Sequence, residues 1–164
     1  MAAPPGLLIK RLTEDYEVGS FRCSDSNVNG FLLNDALLDS ETITYVVTHS
    51  SAPFQVIAFY AVYPTPTRLE SSALTEELDV FSLEYLGTDL QWEGKGIGSL
   101  LLARQMRHAA YAHQQFGICG VISRPTHPRT HCWLHQLGFR PHADGGVFLS
   151  VEELLNLGLD PLPF

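Results

Sequence analysis

The sequence predicts an α/β fold on a mixed sheet, from three observations. Two β-branched and aromatic-rich runs, 43–49 and 54–63, are separated only by Ser-Ser-Ala-Pro, the signature of a hairpin. An extended run, 79–88, leads straight into a glycine-rich turn and a long helical pattern. A short apolar run, 117–124, and a second helical pattern follow. A strand, a helix and a strand in that order require a crossover and hence a parallel pair, whereas the hairpin is antiparallel.

The elements follow in chain order. Residues 7–12 (LLIKRL) read as a first strand. The stretch SDSNVNGFLLNDALLDSE reads as a helix capped by Ser24 or Asp25, with Val28, Phe31, Leu32, Ala36 and Leu37 on one apolar stripe. After the hairpin, PTPTRLESSALTEEL reads as a loop with a short helical piece. The helix after the glycine turn extends to about Gln115. The next helix is THPRTHCWLHQLG: Thr126 caps it, Pro128 stands in its first turn and Gly138 stops it. Asp144-Gly145-Gly146 predicts a turn between two short strands. Ser150 and Glu153 form a capping box that opens a last short helix. With no repeat, linker or low-complexity tract, residues 1–164 read as one domain.

Bulk properties exclude several classes. The chain is 45% hydrophobic and 17% charged, which fits a packed globular protein rather than a disordered one. No apolar run approaches the roughly 18 residues of a membrane span, and MAAPPGLLIKRL lacks the basic and apolar regions of a signal peptide. Three cysteines without a CxxC pair fit a reduced, cytoplasmic setting. A formal charge of -8 argues against a nucleic-acid binder, which ordinarily carries a basic footprint.

The glycine turn carries the chemistry. Gly94, Gly96 and Gly98 come at every second position, and turns of this kind at a helix start hold anions on bare backbone N–H groups. A phosphate loop needs Gly-Lys followed by Ser or Thr, but Gly94-Lys95 is followed by Gly96. A dinucleotide fingerprint needs its third glycine one residue later than Gly98. Gln91-Trp92-Glu93-Gly94-Lys95-Gly96 fits Q-x-x-G-x-G, in which helix-start amides and the helix dipole carry a pyrophosphate without a metal. The plain alternative is a turn that only reverses the chain.

LEYLGTDLQWEGKGIGSLLL resembles the acetyl-CoA-binding motif of the GNAT superfamily of N-acetyltransferases. FRCSDSNVNGFL resembles an N-terminal signature, F-x-C-G-x-x-x-L-N-x-F-L, of the branch that includes toxins acetylating aminoacyl-tRNA. Phe21, Cys23, Asn29, Phe31 and Leu32 match it; Ser24 replaces the Gly and Val28 the Leu. The run from Glu41 to Pro64 resembles the branch's next strand pair, and THCWLHQLGF its helix ending in F-Y-x-x-x-G-F. The resemblance covers nearly the whole chain. It implies a GNAT-like bent mixed sheet of about six to seven strands flanked by helices, with a splay between the fourth and fifth strands that takes the pantetheine arm.

Carried over by position, Leu86, Gly87 and Thr88 become the strand edge that pairs with pantetheine. Gln91, Trp92, Glu93, Gly94, Lys95, Gly96, Ile97, Gly98 and Ser99 become the pyrophosphate turn, with the side chains of Trp92 and Lys95 either along the cofactor or in solvent. The family's acid, a Tyr, falls on Leu134, which cannot donate a proton; Trp133 fills the Phe position. His131 is the first substitute, since imidazole titrates near neutrality; His127 and Cys132 are others, and all three also read as ordinary surface residues. On this alignment Leu134→Tyr is expected to be tolerated. Glu84 is the candidate base, two residues before Leu86 and so on the same strand face; Asp79 and Tyr85 rank below it. His127, His131 and His135 share a helix face at i, i+4, i+8, but without the Glu of H-E-x-x-H or any carboxylate in the helix no metal is expected.

The resemblance thus implies an acetyl-CoA-dependent N-acetyltransferase, with acetyl-CoA as co-substrate. The acidic balance favours a small cationic amine or a peptide amine as acceptor. Two alternatives stay open: a toxin acting on aminoacyl-tRNA, and a non-catalytic CoA-binding module. The partners expected are acetyl-CoA and an amine, with neither nucleic acid nor a membrane. A homodimer is admitted, and an antitoxin is not readable from the sequence.

Overall fold

A computed structural model describes residues 2–70, 77–142 and 145–164. Four α-helices and eight strands are present among the described residues, in the order β1 (Leu7–Arg11), α1 (Ser26–Gly30), β2 (Ile43–His49), β3 (Ala58–Val62), β4 (Thr67–Glu70), β5 (Glu77–Thr88), α2 (Ile97–Phe116), β6 (Gly120–Ser123), α3 (Pro128–Gln136), β7 (Arg140–Pro141), β8 (Val147–Ser150) and α4 (Val151–Asn156). The strand order is β1-β2-β3-β5-β6-β8-β7, with β4 also paired to β5. The sheet is mixed as expected: β5 and β6 run parallel, whereas β1–β2, β2–β3, β4–β5, β6–β8 and β7–β8 are antiparallel.

Two compact units share the chain, Met1–Val62 with Tyr85–Gln105, and Tyr63–Glu84 with Met106–Phe164. In the first, the N-terminal signature explains itself. The side chain of Asn29 accepts from the Cys23 N–H (2.8 Å) and donates to the Cys23 carbonyl (3.1 Å), which closes the loop between Phe21 and α1. Phe21, Val28, Phe31 and Leu32 then pack with Phe59 and Ala61 of β3. Phe21 meets the Phe59 ring edge-on at 5.4 Å, and Phe31 stacks on Tyr85 of β5 at 3.9 Å. The other face of β3 carries Tyr60, whose hydroxyl accepts from Arg104 Nε of α2 (3.1 Å).

In the second unit, Leu69, Val80 and Ile122 form a buried cluster with Leu78, Cys119 and Phe148 against it. The β5–β6 ladder runs from Val80↔Gly120 to Leu83↔Ser123, and β5 then continues to Thr88. This is the expected splay. It falls between β5 and β6 because the extra strand β4, read from sequence as loop, shifts the count. Residues 71–76, where the short helical piece was expected in part, lie outside the described residues.

Several boundaries differ, each for a physical reason. The first helix is short: Asp25 caps it by accepting from the Asn27 and Val28 N–H groups, and residues 31–35 continue as a π turn. There the Ala36 N–H donates to the Phe31 carbonyl five residues back. β3 begins at Ala58 rather than at Phe54, because Ala52 and Gln55 donate into successive turns and Val56 donates to Glu17. His127, not Thr126, caps α3: the residue before Pro128 is held extended (φ -102, ψ 131), so the helix boundary falls there. Ser150 caps α4 as expected, accepting from the Glu153 N–H at 3.2 Å. Of the expected turn, Asp144 lies outside the described residues; the Gly145 N–H donates to the His142 carbonyl (3.0 Å) and the His142 N–H to the Gly146 carbonyl (2.8 Å).

Candidate active site

The sequence-predicted cofactor residues, Leu86 to Ser99, all lie in the first unit. After β5 the chain makes one turn of 3₁₀ helix, Leu90–Trp92, capped by Asp89. That carboxylate accepts from the Gln91 N–H (2.9 Å) and from the Arg22 N–H (3.0 Å), while the Leu90 N–H donates to the Arg22 carbonyl (2.9 Å). The loop before α1 therefore clamps the base of the glycine turn. Gly94 and Gly96 have φ of 74 and 81, the left-handed region that disfavours any Cβ. Open space surrounds the position a Cβ would take on Gly94. α2 starts at Ile97 and is held there by the fully buried Ile97 and Leu101. Its first N–H groups, from Ile97, Gly98 and Ser99, have no acceptor within a helix. They stand at the positive end of a 20-residue helix. A bare main chain, a helix start and a dipole fit the pyrophosphate of a nucleotide cofactor.

Around the turn, Gln91, Glu93 and Ser99 are exposed. Trp92 is half-buried, its ring 5.5 Å from that of His49 and 5.4 Å from the Lys95 ammonium. A cation over an exposed indole contributes about 0.5–1 kcal/mol. The tryptophan thus steadies Lys95 beside the glycines.

The β5 edge is built from the core outward. Gly87 is buried, and a Cβ on it would stand 2.7 Å from Val28 Cγ1. Tyr85 and Gly87 therefore face the aromatic core, and alternation turns Glu84, Leu86 and Thr88 to the other face. Glu84 immediately follows Leu83, the last β5 residue paired with β6, so it stands at the start of the splay. It is half-buried.

One further residue ties strand to helix. Gln105 of α2 is buried, and its Nε2 donates to the Ala61 carbonyl of β3 (3.1 Å) and the Tyr85 carbonyl of β5 (3.3 Å). The helix that opens at the pyrophosphate turn is thereby pinned to the strand that carries Leu86–Thr88. Replacing it by Met keeps the volume but strands two buried carbonyls. We expect Gln105→Met to cost about 1–3 kcal/mol in thermal or urea unfolding. The acetyl-CoA KM should also rise, because the strand loses its reference to the turn. Sequence inspection misses Gln105, since its partners are backbone carbonyls far away in sequence. It also misses Asp89, although an Asp directly after a strand and two residues before a turn is a recognisable cap signal.

In the second unit His131 is exposed on α3, and Leu134 is 1% exposed. This burial changes the expectation for Leu134→Tyr. A larger ring with a hydroxyl overpacks a filled site, and the substitution is expected to destabilise by about 1–3 kcal/mol. At about 2–4 °C per kcal/mol for a chain of this size, differential scanning calorimetry reads the loss directly. His127 Nδ1 accepts from the Arg129 N–H (3.2 Å), and His135 Nδ1 lies 3.4 Å from the Phe139 carbonyl. Two of the three histidines at helical spacing are thus occupied by backbone. Among the described residues no group of three His, Cys, Asp or Glu is arranged to hold a metal ion. Burial raises the thiol pKa of Cys23 and of Cys119 above the ordinary cysteine value, so neither is an activated nucleophile. No helix among the described residues is long and apolar enough to cross a membrane.

No family model matches the chain. The structure is nevertheless similar to known ones over nearly its whole length. A tyrosine-to-phenylalanine mutant of the AtaT toxin, bound to the C-terminus of the antitoxin AtaR and acetyl-CoA, superposes with a TM-score of 0.77 at 23% identity, covering 92% of this chain and 97% of that one. AtaT complexed with acetyl-methionyl-tRNAfMet gives 0.79 at 22% identity, covering 93% and 99%. A tyrosine-to-phenylalanine mutant of KacT gives 0.79 at 19% identity, again covering 93% and 99%. The likeness is one of fold, and it is the GNAT fold expected from the motifs.

Proposed function

We propose that this chain is an acetyl-CoA-dependent N-acetyltransferase acting on the amino group of an aminoacyl-tRNA. The single observation that supports the chemistry best is the pair of left-handed glycines, Gly94 and Gly96, at the head of α2, directly after the end of β5 that outruns β6. The fold shared with AtaT, whose structure holds acetyl-methionyl-tRNAfMet, supports the substrate. This reading replaces the small cationic amine suggested by the net charge. It also makes an antitoxin, like the AtaR bound to AtaT, the partner to seek. A tRNA substrate and three cysteines without a CxxC pair fit a cytoplasmic location.

In the mechanism, the amides of Gly94 to Ser99 hold the pyrophosphate. The main chain of Leu86 to Thr88 pairs with the pantetheine and orients the thioester carbonyl, the electrophile that acetyl-CoA supplies. Glu84 takes a proton from the aminoacyl ammonium, directly or through one water, and frees its lone pair. The C–N bond forms as the C–S bond breaks, and the nitrogen sheds its second proton to solvent. His131 returns a proton to the departing sulfur, the task a tyrosine would otherwise perform.

Thiol release tests the proposal. Charged tRNA, deacylated tRNA and spermidine are each offered with acetyl-CoA. The expected result is free thiol with charged tRNA only. Release with spermidine alone would restore the small-amine reading. CoA binding with no release from any amine would indicate a non-catalytic module.

A further inference from the structure

The formal charge of -8 conceals a segregated chain. Residues 94–143 contain no Asp or Glu, whereas six of the ten Lys and Arg and six of the seven His lie there. All eighteen carboxylate side chains fall outside that segment. Averaging over the chain therefore removes the basic footprint that a nucleic-acid ligand requires.

In the second unit this segment forms an exposed surface. Arg124, Arg129 and Arg140 are exposed, as are His131 and His135 of α3. α3 buries Leu134 and turns Arg129, His131 and His135 outward on an arc without a single acid. Arg140 folds back on the C-terminal end of α3, donating to the His135 carbonyl of the last turn (3.5 Å) as well as to the neighbouring Phe139 carbonyl (3.1 Å). Arg124 follows Ser123 just as Glu84 follows Leu83, and Leu83 and Ser123 are register partners on parallel strands. The cationic surface thus begins at the level of the candidate base.

We infer that the face formed by Arg124 and α3 is the RNA grip, binding backbone phosphates of the tRNA acceptor arm and leading its aminoacyl end to Glu84. The inference rests on the proposed aminoacyl-tRNA reading and names the surface that serves it. RNA is the occupant favoured by the chemistry. Guanidinium groups fork onto phosphate oxygens, and no carboxylate in the segment repels the backbone.

The test measures binding of a deacylated tRNA by fluorescence anisotropy over a range of salt. In Arg124→Gln/Arg129→Gln, two phosphate contacts are lost. The slope of log K against log salt should become shallower by about 1.5, and affinity near physiological salt should fall about tenfold. Calorimetric CoA affinity and melting temperature should stay at wild-type values, which separates lost contacts from lost fold. Lys10→Gln/Arg11→Gln, which removes equal charge from the exposed β1 positions, should leave the slope unchanged. Equal losses in both double variants, or no loss in the first, would overturn the inference, as would a wild-type protein that does not bind tRNA. A polyglutamate peptide that binds while tRNA cannot displace it would instead mark an acidic protein as the occupant. Arginine-dependent tRNA binding without acetylation of charged tRNA would leave the grip standing and remove the substrate reading.

Discussion

Gly96→Asp is expected to weaken CoA binding about 100-fold or more. Two effects combine at this position. The residue sits at φ 81, where a side chain strains the backbone by roughly 1–2 kcal/mol. The new carboxylate would also stand beside the pyrophosphate in the proposed site. Two unit charges about 4 Å apart repel by about 1 kcal/mol in water and about 4 kcal/mol near a protein surface. With the near-surface repulsion the two together exceed the roughly 2.8 kcal/mol that a hundredfold loss represents. Gly96→Ala separates the two: it carries the strain without the charge and should lose about tenfold or less. Isothermal calorimetry with CoA measures both. Wild-type affinity in Gly96→Asp would mean that the phosphates lie elsewhere.

The second large effect belongs to Glu84→Gln. The amide preserves size and hydrogen bonding but cannot take a proton at neutral pH. Removing a general base costs about 10²–10⁴-fold in turnover, and kcat on charged tRNA should fall within that range. The KM for acetyl-CoA should change little, because Glu84 precedes the edge that pairs with pantetheine rather than forming it. The deficit should narrow as pH rises, since the acceptor amine then loses its proton to solvent without help. A flat deficit across pH, or a rise in KM with kcat intact, would assign Glu84 to binding instead.

Much of the fold is legible in the sequence because its signals are local. β2 occupies the residues its β-branched run predicts, Ile43–His49, and Asp25, Ser150 and Gly138 mark helix ends as capping and left-handed chemistry require. What escapes is set by long-range pairing. β4 is a four-residue strand that exists through its register with β5, and its Arg68 pairs with Glu77 and Asp79 across that ladder. The π turn at Phe31–Asp35 reflects how Phe31 and Leu32 reach the core together, which helix periodicity does not anticipate.

The candidate site divides in the same way. The glycines were readable because conformation and anion binding both demand them. Gln105 was not, because its partners are main-chain carbonyls on two strands. The charge segregation is present in the sequence, and a net charge, which averages over the chain, hides it. Leu134 shows the converse. The motif aligned it with the acid, and its burial makes it a packing residue.

The proposed reaction is acetylation of the amino group of aminoacyl-tRNA. It is tested most directly by incubating charged tRNA with acetyl-CoA and the protein, digesting with nuclease and weighing the aminoacyl-adenosine by mass spectrometry. The expected product is heavier by one acetyl group, located on the amino nitrogen, with deacylated tRNA unmodified and with Glu84→Gln and Gly96→Asp giving little product. An unmodified aminoacyl end under conditions in which the same protein preparation acetylates a small amine or a peptide would contradict it.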